Sequence, residues 1–96
     1  MQIKWLDLAR NDLDSIEDYV AVENPDAAVR VVLRVITAVE ILADQPGVGR
    51  AGRVEGTREL VLTDIPYTVA YRVKNNTIEI LRVLHQAMNW PSVFQP

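Results

Sequence analysis

The chain has 96 residues, of which 49% are hydrophobic and 24% charged, with a formal net charge of −3 and no cysteine. That length suits a single domain spanning 1–96, and the composition lies outside the low-hydrophobicity, high-charge range of disordered chains. The lack of cysteine excludes a disulfide framework and thiolate-bound zinc, and with only one histidine, His85, no metal and no other cofactor is expected. The charge is polarised: residues 1–48 hold nine acids against four basic side chains, and residues 49–96 hold six basic side chains against four acids. Such polarity favours an oriented encounter with a charged partner, but two excess cations do not argue for nucleic-acid binding on charge alone. The apolar stretch 31–43 is interrupted by Arg34 and Glu40, so a cytoplasmic protein without membrane contact is expected.

Residues 2–6 alternate polar and apolar side chains, as an opening strand does. From Asp7, the expected N-cap, Ala9, Leu13, Ile16 and Val20 recur at helical spacing. Asn24 and Pro25 then break and restart the helix, because asparagine caps well and proline suits the first helical position. The second helix should run to about residue 43 on a stripe of Ala28, Val31, Val32, Val35, Val39 and Leu42, folding back on the first as a hairpin. The glycine-rich stretch 46–53 reads as an adaptable loop. It leaves a helix and enters a strand, the reverse of a phosphate cradle, so Arg50 and Arg53 are expected to be solvated or to touch an acidic partner.

Beyond it the periodicity becomes that of strands at 59–62, 67–73 and 77–84, with a turn at 74–77. The order is β-α-α-β-β-β: an α+β fold with a helical hairpin packed on a mainly antiparallel sheet. In 67–73, Tyr67, Val69, Tyr71 and Val73 should face the core, leaving Thr68, Ala70 and Arg72 on an open side. In 77–84, Ile78, Ile80 and Leu84 share a face with Arg82, whereas Leu81, Val83 and His85 share the other with Glu79. Both faces are partly apolar, which suggests either a central strand or a face covered by a partner.

Four stretches, NPDAA (24–28), GRVEGTRELVL (52–62), PYTVAYRV (66–73) and IEILRVLH (78–85), together resemble the RelE/ParE superfamily of toxins from bacterial type II toxin-antitoxin (plasmid-stabilisation type) systems. The resemblance covers most of the chain and implies the same α+β fold. It also implies one of two activities, ribosome-dependent cleavage of messenger RNA in RelE-type members or inhibition of DNA gyrase in ParE-type members. RelE-type enzymes use basic side chains and an acid-base group around the scissile phosphate. The resemblance places Glu59, Val61, Thr68, Met88 and Phe94 at those catalytic positions, so the ParE-like branch is favoured and no catalytic residue is assigned. His85 is a weak catalytic candidate, and its plainer role is a strand-end imidazole held by a hydrogen bond.

The resemblance further implies a cognate antitoxin whose C-terminal segment, acidic or amphipathic, lies over the helical hairpin and the sheet. DNA gyrase is then the expected target; the alternatives are a ribosome-associated endoribonuclease and a non-toxic relic that only binds antitoxin. Arg58, Arg72 and Arg82 on neighbouring strands could form one basic patch for partner carboxylates. Met88 stands where many relatives have an arginine. Trp90 and Phe94 crowd the end of the chain with aromatic area, Trp90 suiting self-docking and Phe94 a partner contact, while Trp5 reads as core.

Overall fold

In the computed structural model, which describes residues 1–88, two helices pack on one face of a five-stranded sheet. The elements are β1 (Gln2–Trp5), α1 (Asp7–Ala21), α2 (Pro25–Ile41), β2 (Arg50–Ala51), β3 (Arg58–Val61), β4 (Tyr67–Lys74) and β5 (Thr77–His85). The sheet order is β1-β5-β4-β3-β2, with β1 parallel to β5 and all other neighbours antiparallel. The α+β architecture expected from the sequence is therefore present, with one further short strand.

Local chemistry explains most boundaries. The Asn24 side chain accepts a hydrogen bond from the Ala27 N–H, and Pro25 opens α2 where no backbone donor is needed. Asn75 and Asn76 both take positive φ, 52° and 60°, as the two-residue turn between β4 and β5 requires. Asp7 does not cap α1. Leu6 occupies the cap position in an extended conformation, because its N–H still bonds Ile80 as a continuation of β1; Asp7 is already helical and pairs with Arg10.

The core is built from Ala9 and Ile16 of α1, Val35, Ala38 and Val39 of α2, Leu42, and Tyr67, Val69, Tyr71, Ile78, Ile80 and Val83 of the sheet. Burying each large aliphatic side chain contributes about 1.5–3 kcal/mol. Ile3 and Trp5 pack against this core from β1.

Two face assignments differ from the alternation read in the sequence. Tyr71 pairs with Ile80 and Ala70 with Arg82, so Leu81 is an extra residue, a bulge in β5. The bulge resets the period, placing Val83 in the core with Ile78 and Ile80 and leaving Arg82 and Leu84 opposite Ala70 and Thr68. The second face of β4 is also not open. Thr68 and Ala70 are buried, and Leu6 and Val54 cover Ala70 and Leu81.

The stretch 46–53 is pinned, not adaptable, and contains β2. The buried Tyr71 hydroxyl donates to the Pro46 carbonyl (2.8 Å) and accepts from the Gly49 N–H (2.9 Å). Arg58 donates to the carbonyl of Gly49 at 2.8 Å, and the Glu59 carboxylate accepts from the Arg53 N–H at 2.8 Å. Arg50 and Arg53 thus reach an internal acid, Glu59, whose side chain is 1% exposed.

Candidate partner-binding groove

β5 is nine residues long, but β1 pairs with only its first four, Thr77 to Ile80. Past that point its outer edge has no strand neighbour among the described residues, and α1 lies alongside. An unpaired edge N–H needs an acceptor, and Asp12 of α1 supplies it. Its Oδ2 accepts from the Val83 N–H at 2.9 Å and from Arg82 Nε at 2.8 Å, while Oδ1 accepts from Arg82 Nη2 at 3.0 Å. The pair is largely sheltered, with side-chain exposures of 18% for Arg82 and 15% for Asp12. Hydrogen bonding to Asp12 raises the Arg82 pKa, and burial opposes that shift.

Beside this latch a groove of about 570 Å³ runs between α1 and the end of β5. Asp12, Ser15, Ile16 and Tyr19 form one wall, Arg82 to His85 the other, and Tyr67 and Met88 close it. Tyr67 is buried and meets the His85 ring edge-on, with centroids 5.3 Å apart and an 81° interplanar angle. Burial, then the neighbouring Tyr19, pushes the Tyr67 hydroxyl above its ordinary pKa of 10.0. His85 Nδ1 accepts from the Ala87 N–H at 3.0 Å, the structural hydrogen bond considered for a strand-end imidazole.

The three sheet arginines do not form one patch. By register Arg58 lies opposite Tyr71 on the helix-covered side, whereas Arg72 and Arg82 lie on the other side with Glu79 and Ala70. Period-two alternation separates them, and each has an internal partner: loop carbonyls for Arg58, Glu79 for Arg72 and Asp12 for Arg82. Met88 lines the groove and is 49% exposed; Trp90 and Phe94 lie outside the described residues. Among the positions aligned with RelE-type catalysis, Glu59 and Thr68 are buried, whereas Val61 is exposed. No group of three His, Asp or Glu side chains among the described residues could hold a metal ion. No helix among them is long and apolar enough to cross a membrane.

Sequence reasoning missed Asp12 and Tyr19. Asp12 is one of several acids in α1 and nothing in its spacing marks it, since its partner is 70 positions away. Tyr19 carried a signal, being an aromatic residue off the core-facing stripe.

Comparison with known proteins gives a consistent result. Residues 3–90 match the family model described as the ParE toxin of the type II toxin-antitoxin system, parDE. The protein Y4kP of Sinorhizobium fredii is 49% identical over 92 residues, covering 96% of this chain and 95% of that protein. Toxin RelE2 of Caulobacter vibrioides is 38% identical over 86 residues, covering 90% and 96%. Among solved structures, a chain of the chromosomal ParDE TA system from P. aeruginosa is similar at a TM-score of 0.80 and 36% identity, covering 88% of this chain and 95% of that one.

Proposed function

The chain belongs to the ParE toxin family of type II toxin-antitoxin systems, and from that premise we propose that it arrests growth by binding DNA gyrase and is neutralised in the cytoplasm by a cognate antitoxin. One observation carries the choice of contact over bond cleavage. At the positions where the RelE-type pattern needs exposed cations, Glu59 is sealed between Arg50 and Arg53, Thr68 is buried, Val61 is aliphatic and Met88 is a thioether. Phosphate cleavage needs positive groups aimed at developing negative charge, and a fixed carboxylate there would oppose it. The groove between α1 and β5 instead presents aromatic and aliphatic area of the kind that anchors protein partners.

The test is a supercoiling and DNA-cleavage assay with purified gyrase, titrating the protein alone and then with its antitoxin. Stabilised cleavage complexes that disappear on adding antitoxin are expected. Undisturbed supercoiling at saturating protein would reject gyrase as the target.

A second reading, a ribosome-dependent ribonuclease, draws on His85 sharing the groove with Arg82, Tyr19 and Tyr67. Its mark would be cuts in translating messenger that are abolished by His85→Ala. Antitoxin binding without growth arrest on induction would leave the non-toxic relic.

A further inference from the structure

The fold turns the charge imbalance along the chain into two opposed faces. Residues 7–44, the helical hairpin and the turn that ends it, hold nine acids against three arginines. The helix-free face of the sheet has the opposite sign. By register Lys4, Glu79 and Arg72 stand in one row across β1, β5 and β4, and Lys74 lies on the same side at the end of β4. The neighbouring row holds Ala70, Glu59 and Arg50, and Arg53 also reaches Glu59. Lys4, Arg50, Arg53, Arg72 and Lys74 against Glu59 and Glu79 leave an excess of three positive charges, or two if Glu55, in the turn beside Val54, is counted.

On this face the acids are turned inward and the cations outward. The Glu59 and Glu79 side chains are 1% and 15% exposed, whereas that of Arg50 is 61% exposed. Lys4 and Lys74 are exposed, and neither is held in an ion pair among the described residues. Arg82, at the edge, is neutralised by Asp12. Residues 89–96 add no charged side chain. The opposing acids lie across a molecule whose smallest extent is 24 Å. That exceeds the Debye length of about 10 Å at 0.1 M salt, so a polyanion at the sheet responds mainly to the near cations.

The chemistry of the face selects among polyanions. A protein partner needs buried anchors, and few are offered. Ala70, Leu81 and Leu84 are buried, and of the exposed large apolar residues in the strands only Val61 is on this side. Sheets hold single-stranded nucleic acid through aromatic platforms on which bases stack. Here Trp5, Tyr67 and Tyr71 all pack on the helix side, so no aromatic side chain stands on the helix-free face among the described residues. What is left is point charge on a rigid surface. From Lys4 on β1 to Arg50 on β2, at opposite edges of the sheet, is about 20 Å. A duplex carries one negative charge per about 1.7 Å of its axis, so phosphates are available along that whole span whatever the sequence.

We infer that the helix-free face of the sheet, through Lys4, Lys74 and Arg50, rests on the phosphate backbone of duplex DNA and reads no sequence. For the place where that duplex is met, the inference rests on the gyrase reading above: it is the DNA segment the enzyme holds.

The experiment uses the full chain and a labelled DNA duplex of about 20 base pairs, longer than the face. If Lys4, Lys74 and Arg50 each meet a phosphate, log K should fall against log salt with a slope of about −2.7, a loss of about 40-fold between about 50 and 200 mM. The double variant Lys4→Gln with Lys74→Gln should leave a slope of about −0.9 and a loss of about fourfold over the same range. Arg30→Gln removes the same sign of charge from the exposed side of α2 and should change neither. All three sites are exposed, and thermal melts identify any variant that has lost its fold. In the gyrase assay the double-lysine variant should need at least about tenfold more protein to trap cleavage complexes.

A salt slope unchanged in the double variant overturns the inference, and trapping that persists undiminished in that variant leaves the gyrase reading intact. Wild-type protein that leaves gyrase undisturbed would defeat the gyrase reading, and the duplex titration alone would then decide the face. Polyglutamate held as tightly as the duplex would assign the face to an acidic protein segment, and tighter binding of single-stranded RNA of the same length would assign it to translating ribosomes. Either result overturns the inference. So does a loss in Arg30→Gln equal to that of one lysine, which would reduce the effect to net charge.

Discussion

Asp12 and Arg82, 70 positions apart, form a two-bond ion pair that closes the uncovered edge of β5, because the same carboxylate also takes the Val83 N–H. Asp12→Ala would leave a sheltered guanidinium and a backbone donor without acceptors. Truncating one partner of such a pair costs about 3–5 kcal/mol when it is fully buried, and the partial exposure here argues for the low end. Urea denaturation should show that loss. The double variant Asp12→Leu with Arg82→Met should be less destabilised than the two single losses predict, since it removes both charges together. Strictly additive losses would show that the two side chains are not coupled.

Much of the fold was legible because it is local. The Asn24-Pro25 restart, the Asn75-Asn76 turn and the helical spacing of Ala9, Leu13 and Ile16 each depend on neighbours within a few positions. The illegible parts depend on distant ones. The bulge at Leu81 exists only relative to the register with β4, and it alone moves Val83 into the core. The stretch 46–53 has the glycines of a loose loop, yet a tyrosine hydroxyl 22 positions beyond Gly49 holds it. For the site, Arg82 and Met88 were singled out from sequence, whereas the edge that gathers them with Asp12 and Tyr19 follows from β1 being shorter than β5.

Tyr71→Phe should release that stretch. The hydroxyl satisfies one carbonyl and one N–H in a buried setting, so its removal should cost about 1–3 kcal/mol and open the 46–53 segment to limited proteolysis. Gly49→Ala should do the same by a different route, because an added Cβ would stand 2.6 Å from the Tyr71 hydroxyl. Cleavage rates equal to wild type in both variants would contradict the pinning.

Alkali should weaken the fold through two tyrosines. Burial raises Tyr67 and Tyr71 above the ordinary 10.0, with a smaller opposing pull on Tyr71 from the Gly49 N–H and Arg58. Once the pH passes 10.0 the unfolded chain releases these protons while the native state keeps them. Native protein then binds more protons than unfolded, and stability falls as pH rises towards the folded-state values. Urea midpoints should drop across that window, and Tyr67→Phe should flatten the drop. A rising midpoint would reverse the assignment.

Glu59→Lys places a lysine at one of the positions the RelE-type pattern would use, and it should not confer ribonuclease activity. Glu59 is enclosed by Arg50, Arg53 and the Arg53 N–H, so the lysine would set a third cation beside two arginines and orphan a buried donor. The expected result is a loss of about 3–5 kcal/mol and detachment of β2, seen as accelerated amide exchange at residues 50–53. A stable variant that cuts messenger on translating ribosomes would show instead that the site tolerates the catalytic pattern.

His85→Ala separates the two activities most directly. The imidazole is fixed by the Ala87 N–H on Nδ1 and by the edge of Tyr67, contacts that hold the end of β5 and need no proton transfer. Losing one modest hydrogen bond and one aromatic contact should cost about 1–2 kcal/mol. On the proposed gyrase reading the folded fraction should still poison the enzyme, because a contact-based inhibitor requires surface and not a base. A ribonuclease depending on this residue would lose about 10²–10⁴-fold in rate, as removal of a general base does. Growth arrest measured beside the thermal melt therefore discriminates between them: arrest that persists in a folded His85→Ala protein leaves binding as the mechanism, and arrest that vanishes without unfolding moves the chemistry to His85.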